Sequence, residues 1–141
     1  MVRVELTIEI ARSPDEVFAY LTDLERLPEW QESALESRAD GPLAEGVRIH
    51  ERRRFLGREA ESELEVKAFE PGRRLALTTL RGPVDLSIDH VLEETDGQTK
   101  LRVTAKARPG GLLRLAGPAV AARAWRELRS DFERLKELLE E

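Results

Sequence analysis

Histidine, glutamate and arginine side chains are the candidates for acid–base chemistry in this chain of 141 residues. The sequence holds two histidines, His50 and His90, and no cysteine. Neither histidine belongs to a metal-binding spacing, such as two histidines one helical turn apart around a glutamate. Without cysteine, disulfides, thiolate metal sites and thiol nucleophiles are excluded. No glycine-rich phosphate loop is present either, and we expect neither a metal nor a cofactor.

His90 is the histidine whose surroundings suit chemistry. Alternation along a strand would place its side chain on the same inward face as Ile88 and Leu92. There an imidazole with a near-neutral pKa would suit a general acid or base, or a hydrogen bond to a ligand carbonyl. The alternative is a structural histidine, hydrogen-bonded near the rim of a sheet. His50 is expected to face solvent, because Ile49 takes the opposite face.

A charged pair is expected inside the same hollow. By alternation, Glu51 and Arg53 point inward and would bind or polarise the polar end of a ligand, because buried charges need partners. Three more polar side chains would join them among apolar walls: Ser62, Thr79 and Arg81. Arg81 would then suit a ligand carboxylate. The alternative is an open, hydrated rim, and a bulge in the strand would reverse the alternation.

The elements that position these side chains begin with a strand over residues 2–10, where apolar and polar residues alternate. A helix then begins after Ser13, which can cap it, with Pro14 at its first position. A second short helix is expected at about Leu24 to Leu27 and should end at Pro28. The two helices are therefore expected between the first strand and the remaining strands.

Six further strands follow, separated by glycine and proline turns such as Asp96-Gly97. Their short connections favour antiparallel pairing, because a parallel pair needs a longer crossover. The expected strands cover residues 34–39, 46–55, 58–69, 73–81, 84–95 and 99–108.

A helical period extends from Leu112 to about Leu139, long enough to lie across a whole sheet. Pro118 either kinks this helix or marks its true start, in which case residues 112–117 form a separate turn. The predicted fold is therefore α+β, in the order strand, two helices, six strands and helix. A curved seven-stranded antiparallel sheet would wrap around the long C-terminal helix.

A sheet of this curvature leaves a hollow that one helix does not fill, and we expect a cavity for a small ligand. Small side chains such as Ala105 and Ala124 either leave that space or simply permit close helix–sheet packing. Trp30 is either a core residue or part of a cavity mouth with the Leu56-Gly57 turn and the Leu112-Leu113 segment. The predicted ligand-contacting residues are Trp30, Ile49, Phe55, Ser62, Leu64, Leu77, Thr79, Arg81, Leu86, Ile88, Val103, Val120, Ala124 and Leu128.

The charge pattern excludes other functions. The net charge is −5 with 36% charged residues, and acids and bases are interleaved. The one basic cluster, Arg52-Arg53-Arg54, would be divided between the two faces of a strand. We therefore predict no nucleic-acid partner. The first residues read as a strand rather than a signal peptide, and no apolar run approaches ~20 residues. We expect a soluble, cytoplasmic protein with no stable membrane insertion.

Two segments carry a family resemblance. Val17-Phe18, Leu21-Thr22-Asp23 and Leu27-Pro28-Glu29-Trp30 resemble the opening signature of the polyketide cyclase/dehydrase and lipid-transport group in the START/Bet v1-like (SRPBCC) superfamily. The stretch from Gly110 to Glu141 is similar to the C-terminal helix of that group. The resemblance implies a helix-grip fold over residues 1–141 as a single domain.

The resemblance specifies the fold but not a reaction, because the superfamily includes carriers, receptors, cyclases and cochaperone-like domains. The aliphatic lining favours binding or transport of a small hydrophobic ligand, such as a lipid, an isoprenoid or a polyketide-like molecule. One alternative is a cyclase or dehydratase that uses His90, Glu51 and Arg53 as catalytic residues. Another is a protein-interaction module with a filled interior and an exposed apolar patch.

Overall fold

The computed structural model describes residues 2–55, 57–109 and 117–141. These residues form one antiparallel sheet of seven strands and a C-terminal helix, which confirms the predicted α+β helix-grip fold. In chain order the elements are β1 (Val2–Ile10), α1 (Pro14–Leu21), a 3₁₀ turn (Leu24–Arg26), α2 (Leu27–Trp30), β2 (Ala34–Ala39), β3 (Arg48–Phe55), β4 (Arg58–Glu70), β5 (Arg74–Arg81), β6 (Val84–Thr95), β7 (Gln98–Pro109) and α3 (Gly117–Glu140).

The strand order is β1-β7-β6-β5-β4-β3-β2, so β2 to β7 form a continuous meander and β1 pairs with β7. Short turns with positive φ angles make the meander possible. At the β6–β7 turn, Asp96 has a φ of 52° and Gly97 a φ of 78°. A tight turn of this kind keeps the register of the two long strands, which pair from Thr95 with Gln98 onward.

Helix α1 begins as its sequence predicts. The Ser13 side chain accepts a hydrogen bond from the Glu16 backbone N–H at 3.2 Å, and Pro14 lies in the first turn. The expected end of the next helix at Pro28 is wrong, because α2 covers Leu27–Trp30 with Pro28 in its own first turn. Proline is tolerated there, since the N–H it lacks has no helical partner.

Helix α3 packs across the sheet and is fastened to the end of β1. The Lys136 ammonium donates to the Glu9 carbonyl, and the Ala11 N–H donates to Glu140 Oε2 at 2.9 Å. The described part of α3 begins at Gly117, with Pro118 in its first turn. Residues 112–116 of the separate turn predicted before Pro118 lie outside the described residues, whereas Gly117 belongs to α3.

The core lies between α3, the two short helices and the concave face of the sheet. Two pairs of aromatic rings pack within it: Phe18 meets Phe69 edge to face at 5.3 Å between centroids, and Trp30 packs on Phe132 at 5.1 Å. Among the described residues, no helix combines the length and apolar character that a membrane span requires.

Candidate functional site

A cavity of about 290 Å³ lies between α3 and the concave face of the sheet. This volume is near the lower end of the range of about 300–1,000 Å³ in which small-molecule sites occur. Four alanines contribute to its lining: Ala60, Ala105, Ala107 and Ala124. Of the two interpretations of the small residues, the one in which they leave space therefore describes this part of the molecule.

Most of the residues predicted to contact a ligand line this cavity. Ten of the fourteen do so: Trp30, Ile49, Ser62, Leu64, Leu77, Thr79, Leu86, Ile88, Ala124 and Leu128. The three candidate catalytic residues, His90, Glu51 and Arg53, also line it. The side chains of Phe55 and Val120 lie outside the described part of the structure, as do Leu56 and Leu112-Leu113 of the expected mouth. The remaining two, Arg81 and Val103, lie elsewhere.

Arg81 is on the outer face of the sheet, which corrects the inward position expected for it. Its side chain is 82% exposed and its guanidinium lies 3.5 Å from Glu63 Oε2. The cause is a register shift: Leu64 pairs with Thr79, whereas the preceding residue Glu63 pairs with Arg81. The additional residue, Leu80, makes a bulge in β5, and a bulge reverses the alternation beyond it. Val103 is fully buried in the core and does not reach the cavity surface.

Within the basic triplet on β3, Arg52 and Arg53 lie on opposite faces, as alternation predicts, whereas Arg54 also borders the cavity. On the outer face, Arg52 donates to Glu59 Oε1 at 2.6 Å. His50 lies on the same outer face, where its Nε2 is 2.9 Å from Asp40 Oδ1. Arg53, which follows Arg52 in sequence, lines the cavity instead.

Glu51 and Arg53 form an ion pair in the cavity wall. Arg53 Nε lies 2.8 Å from Glu51 Oε1, and Arg53 Nη2 lies 3.1 Å from Glu51 Oε2. The Glu51 side chain is only 8% exposed and also accepts from Ser37 Oγ at 3.3 Å. This bidentate geometry is the strongest form of arginine–carboxylate pairing, and it neutralises both charges within the wall.

Arg53 also holds the connection between α2 and β2. Its Nη2 donates to Gln31 Oε1 at 2.6 Å, and its Nη1 donates to Ser33 Oγ at 3.0 Å. From the other side, Asp131 of α3 accepts the Glu32 backbone N–H at 3.2 Å. The connection is therefore bound both to the sheet and to α3, and its residues Gln31 and Ser33 line the cavity.

Asp131 is a residue of this region whose carboxyl pKa is shifted strongly upward. Burial raises the pKa of its carboxyl from 3.8 to about 7, and the neighbouring Glu127 acts in the same direction. The hydrogen bond from the Glu32 N–H and the charge of Arg53 oppose that rise. Both Asp131 and Glu127 line the cavity. A carboxyl that is half protonated near neutral pH can donate or accept a proton.

His90 lies on the cavity floor, 4% exposed. Its Nδ1 is 2.9 Å from the Leu75 carbonyl oxygen, which can only accept, so Nδ1 carries the proton. Burial lowers the pKa of His90, and the ring is therefore neutral near pH 7. Its Nε2 is then a hydrogen-bond acceptor. The ring packs 5.8 Å from that of Phe132, which also touches Trp30.

Trp30 is 2% exposed, as its interpretation as a core residue predicts, and it also lines the cavity. Its place in a cavity mouth stays a prediction. Its indole N–H is the one buried side-chain polar atom in the described part of the chain that has no hydrogen-bond partner. A buried donor of this kind normally has a partner in a folded protein.

Sequence reasoning did not identify Gln31, Ser33, Glu127 or Asp131. Asp131 carries a signal in the sequence: it lies three residues after Leu128 and directly before the buried Phe132, beside the apolar stripe of the helix. An acidic residue at the edge of such a stripe is placed next to apolar partners. Gln31 and Ser33 carry no comparable signal, because their contacts depend on the position of Arg53 on another strand.

Comparisons with known proteins identify relatives of the whole chain. The sequence model of the family described as "Polyketide cyclase / dehydrase and lipid transport" matches residues 1–140. No curated protein sequence matches the chain. Among solved structures, a START superfamily protein from Mycobacterium smegmatis is similar with a TM-score of 0.84 and 16% identity, covering 99% of this chain and 98% of that one.

Two further structures share the fold. TTHA0849 from Thermus thermophilus has a TM-score of 0.83 and 15% identity, with 97% of this chain and 96% of that chain covered. The di-domain ARO/CYC StfQ of the steffimycin biosynthetic pathway has a TM-score of 0.75 and 16% identity, with 97% of this chain but 44% of that chain covered. Similarity at these identities shows a common fold, and function has to be argued from the site.

Proposed function

Because the chain belongs to the polyketide cyclase/dehydrase and lipid transport family of the START/Bet v1-like superfamily, we propose that it binds a small hydrophobic molecule in its internal cavity. Lipids, isoprenoids and polyketide-like molecules are the ligand classes that an aliphatic cavity of this kind suits. The bound molecule would lie between α3 and the sheet.

The observation that carries this proposal is a cavity of about 290 Å³ beside a core of buried hydrophobic side chains. Its wall combines aliphatic side chains from the sheet, such as Leu77, Leu86 and Ile88, with Leu128 of α3. Removing apolar surface from water contributes roughly 25 cal/mol per Å². A ligand that covers this wall would gain most of its affinity from apolar burial.

The test is uptake of phenylnaphthylamine, a neutral dye whose fluorescence rises in apolar surroundings. Ala124→Phe places a ring in the cavity and should weaken dye binding at least about tenfold. Ala122→Phe is the matched control, because Ala122 lies two residues away on the exposed side of α3. Equal dye binding by the two variants, or no uptake by the unmodified protein, would contradict the proposal. Native mass spectrometry of the purified protein is a separate measurement, which would give the mass of any molecule that is already bound.

A second candidate function is a cyclase or dehydratase reaction, and one observation favours it. His90 offers Nε2 as a neutral acceptor, and Asp131 has a pKa of about 7 on the same cavity. Two such groups could move protons on a carbonyl substrate, with Arg53 polarising its oxygen. In a turnover assay with β-diketone substrates, His90→Gln, Glu51→Gln and Asp131→Asn should each slow the reaction. Unchanged rates in all three variants would eliminate the enzymatic assignment.

The protein-interaction alternative predicted a filled interior and an exposed apolar patch. The cavity is not filled, and the large apolar side chains that are exposed in the described part of the chain are Leu80 and Trp125. The Trp125 ring is covered in part by the Arg129 guanidinium at 5.2 Å. No observation favours this alternative over ligand binding.

A further inference from the structure

We propose that the cavity selects a ligand with a neutral hydroxyl or carbonyl group and discriminates against a carboxylate. This inference rests on the proposed function and concerns the chemical class of the ligand. It is argued from the charged groups of the lining, their pairing and the hydrogen-bonding atoms that remain free.

The less exposed cation of the described lining, Arg53, is already neutralised. Arg53 gives Nε and Nη2 to the carboxylate of Glu51, at 2.8 and 3.1 Å. Its remaining contacts are also acceptors, Gln31 Oε1 at 2.6 Å and Ser33 Oγ at 3.0 Å. Glu51 is 8% exposed and Arg53 is 28% exposed, so water reaches this pair only from the Arg53 side. An incoming carboxylate would have to displace Glu51, and that would leave a buried anion without its partner.

The other charged groups of the described lining increase this discrimination. Glu127 and Asp131 add carboxyl groups to the same surface. Arg54 is the second cation of the lining, but its side chain is 60% exposed and its Nη2 is 3.8 Å from Glu59. An exposed cation is screened by water and attracts a buried anion weakly. A carboxylate inside the cavity would therefore meet acidic groups without an unpaired buried base.

Neutral hydrogen-bonding atoms remain available in the lining. Neutral His90 presents Nε2 as an acceptor, which suits a ligand hydroxyl. Thr79 Oγ1 accepts from the Leu86 N–H at 3.2 Å, and its hydroxyl proton is not used by that bond. Ser62 lines the cavity beside it with a second hydroxyl. These groups can bind an uncharged oxygen without desolvating an ion, which costs much less than burying a carboxylate.

The test compares two nearly isosteric ligands, methyl naphthyl ketone and the naphthoate with the same ring position. A methyl group in the ketone replaces one oxygen of the carboxylate, so the apolar contacts of the rings are the same. At about pH 8 the carboxylate is fully ionised. In displacement of phenylnaphthylamine, we expect the ketone to bind at least about tenfold more tightly than the naphthoate.

The decisive variant is Glu51→Gln, which keeps the shape of the side chain but leaves Arg53 without its anion. We expect this variant to bind naphthoate at least about tenfold more tightly than the unmodified protein, with little change for the ketone. Glu63→Gln is the matched control. Glu63 is also poorly exposed, at 12%, but it pairs with Arg48 and Arg81 on the outer face of the sheet.

The outcomes separate the two proposals. Failure of the unmodified protein to take up the dye overturns ligand binding itself. If the dye binds but naphthoate competes as well as the ketone, or the ketone does not compete, the selection of a neutral group is overturned while ligand binding stands. Equal effects of Glu51→Gln and Glu63→Gln on naphthoate overturn it as well. If Glu51→Gln does not fold, the proposal is tested by the unmodified protein alone, from the ratio of its affinities for the ketone and for naphthoate.

Discussion

At the scale of single residues, the cavity chemistry is set by how each ionisable group is paired. Arg53 and Glu51 neutralise one another, whereas Asp131 has a single backbone donor and a partly buried carboxyl. Burial raises the pKa of Asp131 to about 7, so this carboxyl changes its protonation near neutral pH. Asp131 also holds the Glu32 N–H, so its charge state affects how the α2–β2 connection is bound to α3.

The raised pKa of Asp131 predicts a pH-dependent stability. Its folded-state pKa is about 7 against 3.8, so the folded protein binds this proton more tightly than the unfolded chain. The free energy of unfolding should therefore fall as the pH rises from about 4 to about 7. Asp131→Asn keeps a side-chain oxygen that can accept the Glu32 N–H, but it has no carboxyl to ionise. The fall in the free energy of unfolding with rising pH should therefore be absent from this variant. At about pH 8 we expect the variant to be more stable by roughly 1 kcal/mol, a value reduced for solvent screening.

Urea unfolding at two pH values measures this difference. The gain from Asp131→Asn should be absent at about pH 4, where the carboxyl is protonated in much of the unfolded ensemble as well. Glu133→Gln is the control, because Glu133 lies on the same helix with its side chain 54% exposed. An equal gain at both pH values would show that the effect does not come from ionisation of Asp131.

At the scale of secondary structure elements, the edge of the cavity depends on the bulge and turn at the end of β5. Leu80 is the additional residue that turns Arg81 outward, and Gly82 follows with a φ of 154°. A Cβ atom on Gly82 would lie 2.7 Å from Ser62 Oγ and 3.2 Å from Ser62 Cβ. The turn therefore passes close to a cavity-lining residue of β4, and an added Cβ would require Ser62 or the turn to shift.

We expect Gly82→Ala to destabilise the protein by about 1–3 kcal/mol, because both the backbone angle and the contact with Ser62 become strained. The matched control is Gly41→Ala, where an added Cβ meets nothing within 4 Å. Thermal unfolding measures both variants. If Gly82→Ala were as stable as Gly41→Ala, the claim that a Cβ at position 82 is strained against Ser62 would be contradicted.

At the scale of the whole molecule, the interior is filled in one part and open in another. Phe18 packs on Phe69, and Trp30 packs on Phe132. Trp30 and Phe132 also border the cavity, together with alanines and aliphatic side chains, and about 290 Å³ remains free there. Aromatic residues make up 5% of the chain, so few large side chains are available to fill that volume.

Ligand binding in this space should stabilise the whole fold, because the unfolded chain has no cavity. A neutral naphthalene ligand at about a hundred times its Kd should raise the free energy of unfolding by about 2.7 kcal/mol. Urea unfolding followed by circular dichroism measures this change, and Ala124→Phe should lose most of it. A ligand that binds without raising the stability of the unmodified protein would bind at a site other than this one.

The sequence by itself determined the elements and most of the cavity lining. Alternation placed Glu51 and Arg53 on the inner face, and His90 on the cavity floor, because side-chain direction in a regular strand depends only on parity. The cap at Ser13 and the turn at Asp96-Gly97 were equally predictable, since their hydrogen bonds and backbone angles are local. The family resemblance added the curvature of the sheet and the position of the long helix.

Only the tertiary structure decided the features that depend on distant partners. Arg81 faces outward because of a bulge, and whether a strand contains one depends on its pairing with the neighbouring strand. The contacts of Arg53 include Gln31 and Ser33, from a connection about twenty residues away in sequence. The pKa of Asp131 depends on burial by groups from other elements. The cavity volume is likewise the space that remains when all the elements are packed together, so no local pattern specifies it.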